Sequence, residues 1–576
     1  MKRALSLILI LCLVFLLTGC SDEPEEYSVT FAIDGIPKTL DPQIASSDSE
    51  LAVVYNTCEG LMRFSPDGTV VYGAAKTHSV SSDGLVYTFT LKEGLKWSDG
   101  QELSAKDFAF GLTRAVLPET NCPAVESFYA VKGAKDVFQN GADLSTLGIS
   151  YSGNTVTITL LYPDEDILHT LACSAAMPCR EDFFINSKGK YGLSDELFIS
   201  SGPFYVKKWS QDTESVSLRI SKSPEYVGDI EVKPASVVMF FNNQNDHITE
   251  MSEGQMGSAY MPASLYENAV KKDLNTTVRQ SESFILSLNN AAPIFSTQKM
   301  REIFAKSIDR SVISSKLSYG SVMNNGIVPP SYMLNSKSYS DISPCSPIGY
   351  DATAADEYLD ELSVIKDTIQ ARLDAEKKAE DDYLEAVKKA HEDKKPIPEK
   401  PKKEITPYSL YAPWDSKDTV ETDLSIICLD SPYVTPVALA VASCWEKAFG
   451  ITVSVKPLSK NELTSAAKQG NYFAAILSYE SPDCNAKSFL YSFTSYSNQN
   501  HIKYLNEEYD NFIRSLQTDG VTPDKLNQAE NMLVSSASVI PLFSASHMVA
   551  SMPNISNISF VTPNGYIDFT QALNSD

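Results

Sequence analysis

Polar and apolar positions alternate along YSVTFAID, from Tyr27 to Asp34, and predict a strand that ends at the turn Gly35-Ile36-Pro37. Residues 50 to 63 read as a helix leading into Gly60-Leu61-Met62-Arg63-Phe64. Two further strands are expected at Val80 and from Val86 to Lys92, separated by the turn Ser82-Asp83-Gly84. Next, Ser104 is placed to cap a helix that carries Asp107 in its first turn and Phe108, Leu112 and Val116 on one face. Strands and helices alternate from there on, which indicates a mixed α/β body rather than an all-β one.

The pattern changes over residues 351 to 406. An amphipathic helix is expected from Ala355 to Leu373, with Leu359, Leu362, Ile365 and Ile369 spaced for one apolar face. The chain that follows is densely charged, with acids and bases three or four apart, as on a solvent-exposed helix. Pro396, Pro398 and Pro401 end it in an extended linker. A solvated insertion at about 363–405 is the expectation, and a partner-docking arm is the alternative.

At the N-terminus, Lys2 and Arg3 precede an apolar run from Ala4 to Leu17, followed by Thr18, Gly19 and Cys20. This is a secretory signal over 1–19, too short for a comfortable membrane span. Leu17-Thr18-Gly19-Cys20 also matches the bacterial lipobox, in which several acyl chains on the cysteine give stable anchoring. Residues 20–26 are then a polar tether. An ordinary signal peptide beside a chance cysteine is the alternative.

Composition adds exclusions. The net charge of −25 becomes −27 once Lys2 and Arg3 leave with the signal, which argues against nucleic acid and against electrostatic docking on anionic membranes. Without Cys12 and the lipidated Cys20, eight of the ten cysteines remain. Export permits disulfides, and Cys173 and Cys179 are close enough to form one, but a buried free thiol is the default reading for each. No C-x-x-C pair occurs and the six histidines are scattered, so neither a metal nor a cofactor is expected. The nucleophile-elbow, zinc-helix, phosphate-loop and dinucleotide motifs are absent. Ser187 to Lys190 and Ser296 to Lys299 match a serine-acylase pair, yet the companion Ser-Asp-Asn and Lys-Thr-Gly elements are missing. The chain does not read as an enzyme.

Several strings, in order, carry a family resemblance. They are TLDPQ (Thr39 to Gln43), CEGLMRF (Cys58 to Phe64), DGLVYTFTLKEGLKWSDGQELSAKDFAFGLTR (Asp83 to Arg114) and SGPFYVKKW (Ser201 to Trp209). KMREIFAKSIDRSVI (Lys299 to Ile313), GIVPPS (Gly326 to Ser331), Phe449-Gly450-Ile451 and VIPLF (Val539 to Phe543) follow. Together they resemble the extracellular solute-binding proteins of family 5, the oligopeptide- and dipeptide-binding lipoproteins of ABC importers. Most of these motifs are scaffold: Trp97, Asp99 and Gly100 read as a turn, and Arg301 and Asp309 as helix braces.

The resemblance implies a type II periplasmic-binding-protein fold, two-lobed with an additional small lobe, closing on a hinge around its ligand. Lobe I would comprise 27–72, 195–286 and 545–576, lobe II 73–194, and lobe III 287–544 with the charged insertion. It also implies a monomeric receptor that captures peptides outside the cell membrane and hands them to ABC permease subunits. In peptide-binding relatives a carboxylate in a Trp-x-x-Asp-Tyr segment pairs with the peptide's α-amino group. The corresponding stretch here is ILSYESPDCNAKSFL, Ile476 to Leu490. Tyr479 stands for the tryptophan, Pro482 falls at the aspartate, and Asp483 lies one position late. Asp483 after a local shift, or Glu480, is the candidate partner; otherwise a free α-amine is not gripped in this way. From the first lobe, Ser46, Ser47 and Asp48 are candidates by family position, or simply a polar helix start. The lipid anchor is Cys20. A peptide-sensing lipoprotein without import, or a receptor for a non-peptide solute, is the alternative function.

Overall fold

A computed structural model describes residues 27 to 575 apart from 66–67, 165, 213–214, 243–245, 335–336, 395, 401–423, 480–484, 498 and 562–565. The signal, the tether, Cys20, Glu480 and Asp483 therefore lie outside the described residues. None of the described helices is long and apolar enough to cross a membrane.

Strand β1 (Ser28–Asp34) forms where alternation is expected, but Phe31, Ala32 and Ile33 are all fully buried. The reason is its place: it runs parallel to a neighbour on each side in the middle of a sheet, so both faces are covered. Helix α1 (Asp48–Thr57) follows, shorter than the 50–63 expected. It stops because Ser201 and Gly202, from a distant loop, donate their N–H groups to the carbonyl of Thr57, at 3.0 and 2.9 Å. Gly202 is required there, since a Cβ would lie 2.8 Å from the Cys58 nitrogen.

Strands β2 (Ala75–Val80), β3 (Val86–Leu91), β4 (Ile149–Ser152) and β5 (Thr155–Thr159) form a small antiparallel sheet in the order β2-β3-β5-β4. Helix α2 (Ala105–Val116) lies beside them and starts as expected: the Asp107 carboxylate accepts from the N–H and hydroxyl of Ser104, at 2.8 and 2.9 Å. Phe108, Leu112 and Val116 are buried.

The large sheet adds β6 (Phe204–Asp212), β7 (Ser215–Lys222), β8 (Ser236–Asn242), β9 (Ser258–Pro262) and β10 (Asn275–Leu288), then β11 (Ser425–Leu429), β12 (Ser454–Leu458), β13 (Ala474–Tyr479) and β14 (Val539–Ser551). Its order is β12-β11-β13-β10-β14-β9-β1-β8-β7-β6, and the short strand Val322–Met323 pairs with β14 off this path. The sheet is mixed, parallel at β9-β1-β8 and β12-β11-β13 and antiparallel between.

Apolar clusters divide the molecule in two. One large cluster takes residues from 29 to 260 and 549 to 572, running without a break through the small sheet, α1 and α2. Two others draw only on residues 284 to 545. We call these the first and second bodies. Strands β10 and β14 cross between them, paired to each other over nearly their whole length, with register shifts at Gln280/Glu282 and Phe284/Ile285. Bulges at this crossing are where a paired ribbon bends most easily.

The 351–406 stretch corrects one expectation. A single helix, α3, runs from Tyr358 to Glu392, 35 residues, about 52 Å at 1.5 Å per residue. Tyr358, Leu362, Ile365 and Ile369 face the second body's core, whereas Leu359 is 71% exposed, because one position off the 358-362-365-369 row points away. For the cysteine pair, the buried thiol is the reading observed. Cys173 and Cys179 are both buried thiols not joined to each other; the Cys173 thiol donates to the His169 carbonyl at 3.4 Å and the Cys179 sulfur accepts from Arg114 at 3.4 Å.

Candidate functional site

The two bodies meet at the carboxyl end of β1, the edge at which open α/β sheets place ligands. Asp34 closes that strand, and its carboxyl pKa is raised. Burial causes the rise, offset by the Gly35 N–H, His247 and Lys460. Lys460 belongs to the second body, so this charge reaches across the junction. From the same side, Tyr433 has its phenol pKa pushed up, first by burial and then by Glu282, Asp34 and Asp48. Three carboxylates, on β1, α1 and the crossing strand β10, thus form an acidic wall within electrostatic reach of one second-body phenol, and Lys460 is a cation within reach of Asp34. Such a wall favours a ligand that brings a positive group.

The expected residues divide. Ser46, Ser47 and Asp48 are exposed at the start of α1. The Ser47 hydroxyl is engaged in the helix cap, accepting from Glu50 N at 3.4 Å. Buried Glu50 in turn accepts from the N–H groups of Lys38, Ser46 and Ser47, at 2.9, 3.0 and 3.1 Å, and so fixes the loop. Asp48, at the first helical position, is near enough to Asp34 and Tyr433 to raise the pKa of both. Tyr479 ends β13 inside the second body, 5% exposed. Its ring stacks on Phe493 at 4.8 Å and its hydroxyl accepts from Ile502 N at 3.2 Å. Asp48 and Tyr433 are therefore within electrostatic reach of each other, whereas Tyr479 is enclosed in the second body's core. Asp34, Glu282, Tyr433 and Lys460 were missed. Asp34 alone had a usable signal, as a carboxylate at a strand's carboxyl end; the others are assembled only by the fold.

The quoted motifs prove to be struts. Asp41 of TLDPQ takes a two-point contact from Arg114 of the long motif, at 3.1 and 2.6 Å, with the guanidinium lying 4.0 Å over the Phe184 ring. Gln43 donates to the carbonyls of Ala175 and Met177, at 3.3 and 2.9 Å. Trp97 is fully buried, and Gly100 takes φ 82° in the turn behind it. Arg301 donates to the carbonyls of Phe295, Ser296 and Ser536, and Asp309 caps the helix Arg310–Ser314 by accepting from Ser311 N at 2.9 Å.

Two bodies joined by a pair of crossing strands, with a polar junction at the sheet's carboxyl edge, define a two-lobed solute-binding receptor of the type II binding-protein fold. The match to known proteins gives the family. Residues 69–501 match the model of bacterial extracellular solute-binding proteins, family 5, and the chain belongs to that family. It is 26% identical over 545 residues to the dipeptide-binding protein of Lactococcus lactis, covering 92% of this chain and 90% of that one. Among solved structures, it resembles Haemophilus influenzae OppA in complex with RPPGFSPFR, with TM-score 0.75, 18% identity and coverage of 96% and 99%. Listeria monocytogenes OppA bound to peptide is similar too, with TM-score 0.71, 20% identity and coverage of 96% and 100%.

Proposed function

We propose that this protein is a lipid-anchored receptor that captures oligopeptides outside the cell membrane and delivers them to the permease of an ABC importer. The observation that carries the reading is the carboxylate wall at the junction, Asp34, Asp48 and Glu282 within electrostatic reach of Tyr433. A peptide's α-ammonium is the group common to peptides of any sequence, and desolvating it between two bodies requires a charge partner. Asp48 is assigned to that task with Asp483, with Glu480 as its alternate; Ser47 sets the helix end on which Asp48 stands, and Tyr479 supports the second body from within its core. Anchoring through Cys20 after removal of 1–19, the monomeric state, and the three-lobe division at 73–194 and 287–544 belong to the same reading.

Native mass spectrometry on the chain from Ser21 onward, purified without added ligand, tests it. The expected result is a spread of bound masses assignable to short peptides, lost on Asp48→Ala. A single non-peptide mass overturns the peptide reading. The displaced aspartate at Pro482-Asp483 favours that second reading, a receptor for another cationic solute on the same fold.

A further inference from the structure

Away from the β1 edge the bodies touch a second time. On the first body, Asp164 and Asp166 follow the small sheet; on the second, Asn485 caps the short helix α4 (Ala486–Tyr491), which carries Lys487. Lys487 Nζ lies 2.6 Å from Asp164 Oδ2 and 3.9 Å from Asp166 Oδ2. The Asn485 side-chain amide donates to the Asp166 carboxylate, and Ser488 Oγ donates to Ser127 Oγ at 3.1 Å. Every one of these residues is more than nine-tenths buried. Tyr162 of the first body and Tyr491 of the second also face the cluster. Nearby, Lys135 of the first body sits 5.0 Å over the ring of Tyr496 of the second.

This contact is polar where the interior of each body is apolar, and the difference decides its character. An apolar seam between bodies would hold them together permanently. Charged groups recover their hydration when the seam opens, so the closed state is favoured only while cation and carboxylates meet. Burial by itself would discharge Lys487; the two carboxylates outweigh it and push its pKa up, so the ammonium keeps its charge when enclosed. The cluster also holds two carboxylates against one ammonium. Without Lys487, closing would bury two like charges side by side.

We propose that Asp164, Asp166 and Lys487 are positioning residues for capture: they form a charge latch between the bodies that holds the closed state and so sets how long a ligand stays bound. They touch no ligand in this proposal. Their effect reaches it through the position of the second body.

The test uses the chain from Ser21 onward, which contains every described residue, stripped of ligand and measured by small-angle scattering. Lys487→Met and Asp164→Asn are expected to enlarge the radius of gyration. Asp166→Asn should enlarge it less than Asp164→Asn does, because its oxygen lies 3.9 Å from the ammonium rather than 2.6 Å. Lys487→Arg should restore most of the closed form. Release of fluorescein-labelled RPPGFSPFR, followed by stopped flow, should be at least about 30-fold faster for Lys487→Met with little change in association rate. Because scattering needs no ligand, it decides the latch even if the peptide reading fails. Parent-like scattering from both Lys487→Met and Asp164→Asn overturns the proposal. So does a loss of thermal stability common to all four variants with no change in scattering, which would mark a static structural contact. If Lys487→Met does not fold, Asp164→Asn against Asp166→Asn carries the same comparison.

Discussion

Two buried ion pairs in this molecule share their chemistry and differ in what surrounds them. Asp41–Arg114 and Asp164–Lys487 each bring a carboxylate within 2.6 Å of a cation, each 5% exposed or less. Asp41 and Arg114 lie in one continuous apolar cluster, where Phe184, Cys179 and Gln43 fill the space around the guanidinium. Asp164 and Lys487 belong to different bodies, whose cores are bridged among the described residues only by the half-buried Val521. The first pair cannot come apart without unfolding what holds it. The second can separate as rigid bodies move, both ions returning to water. Burial and distance, the usual measures of an ion pair, do not separate these cases; the connectivity of the apolar core does.

The largest effect expected from breaking this comparison is at Arg114. Arg114→Met leaves Asp41 buried without its cation and should lower the unfolding free energy by about 3–5 kcal/mol in denaturant titration. A loss below about 1 kcal/mol would show that the Asp41 site admits water as freely as an interface, and the contrast would fail.

Glu530 extends the comparison to a buried carboxyl with no cation beside it among the described residues. It lies next to a cavity of about 170 Å³ lined by Asn324, Gly326, Tyr339 and Cys345, and it accepts from the N–H groups of Ile327 and Val328 at 2.7 and 3.0 Å. Burial pushes its pKa up to about 7 from 4.5, against those two donors. The folded protein thus holds the proton more tightly than the unfolded chain. The resulting stability is complete below pH 4.5 and is lost as pH rises through 7. Each pH unit in that window is worth about 1.4 kcal/mol, so the loss across it amounts to about 3 kcal/mol. Glu530→Gln should flatten this dependence, as read from unfolding free energies below, within and above the window; an unchanged slope would place the titration elsewhere.

Lys487→Met comes next. Its cost to global unfolding should be limited to the free-energy gap between closed and open forms, about 1–2 kcal/mol, well short of Arg114→Met. Equal losses for the two would mean that the bodies do not separate before unfolding.

These pairs also show what a sequence discloses. The Ser104–Asp107 cap, the strand at 28–34 and the apolar row of α3 rest on neighbours a few residues apart, and all were legible. The end of α1 was not, because its cap comes from Ser201 and Gly202. Leu359 was placed on the wrong side because four apolar residues in a row of threes and fours were read as one face, whereas Tyr358 fills that place. The motifs around Asp41 and Arg114 could be recognised without disclosing that they bind each other. Asp164 and Lys487 are 323 residues apart; Asp164 lies in no recognised string, and Lys487, within the stretch Ile476 to Leu490, was not singled out there. The junction was half legible: Asp48 by family position and Asp34 by its place at a strand's carboxyl end, Glu282 and Tyr433 only once β10 and the second body are in place.

The smallest effect should come from a third pair, which supplies the baseline. Lys400 Nζ lies 3.8 Å from Glu380 on the outer part of α3, with the side chains 69% and 57% exposed. Water screens this attraction, and two long side chains lose rotamer freedom to make it, so Glu380→Ala should change stability by less than about 0.5 kcal/mol. The same helix carries the contrast within itself. Ile365 lies about four turns nearer the core end and is 2% exposed. Ile365→Ala opens a hole in the cluster that holds Phe304 and Trp445 and should cost about 2–5 kcal/mol. It follows that an excision of the charged arm has to begin after Leu373. Removal from residue 363 would take Ile365 and Ile369 with it and report on the core rather than on the arm. If Glu380→Ala proved as costly as Lys487→Met, the outer part of α3 would be packed against something, and the reading of it as a solvated insertion would give way to the docking arm.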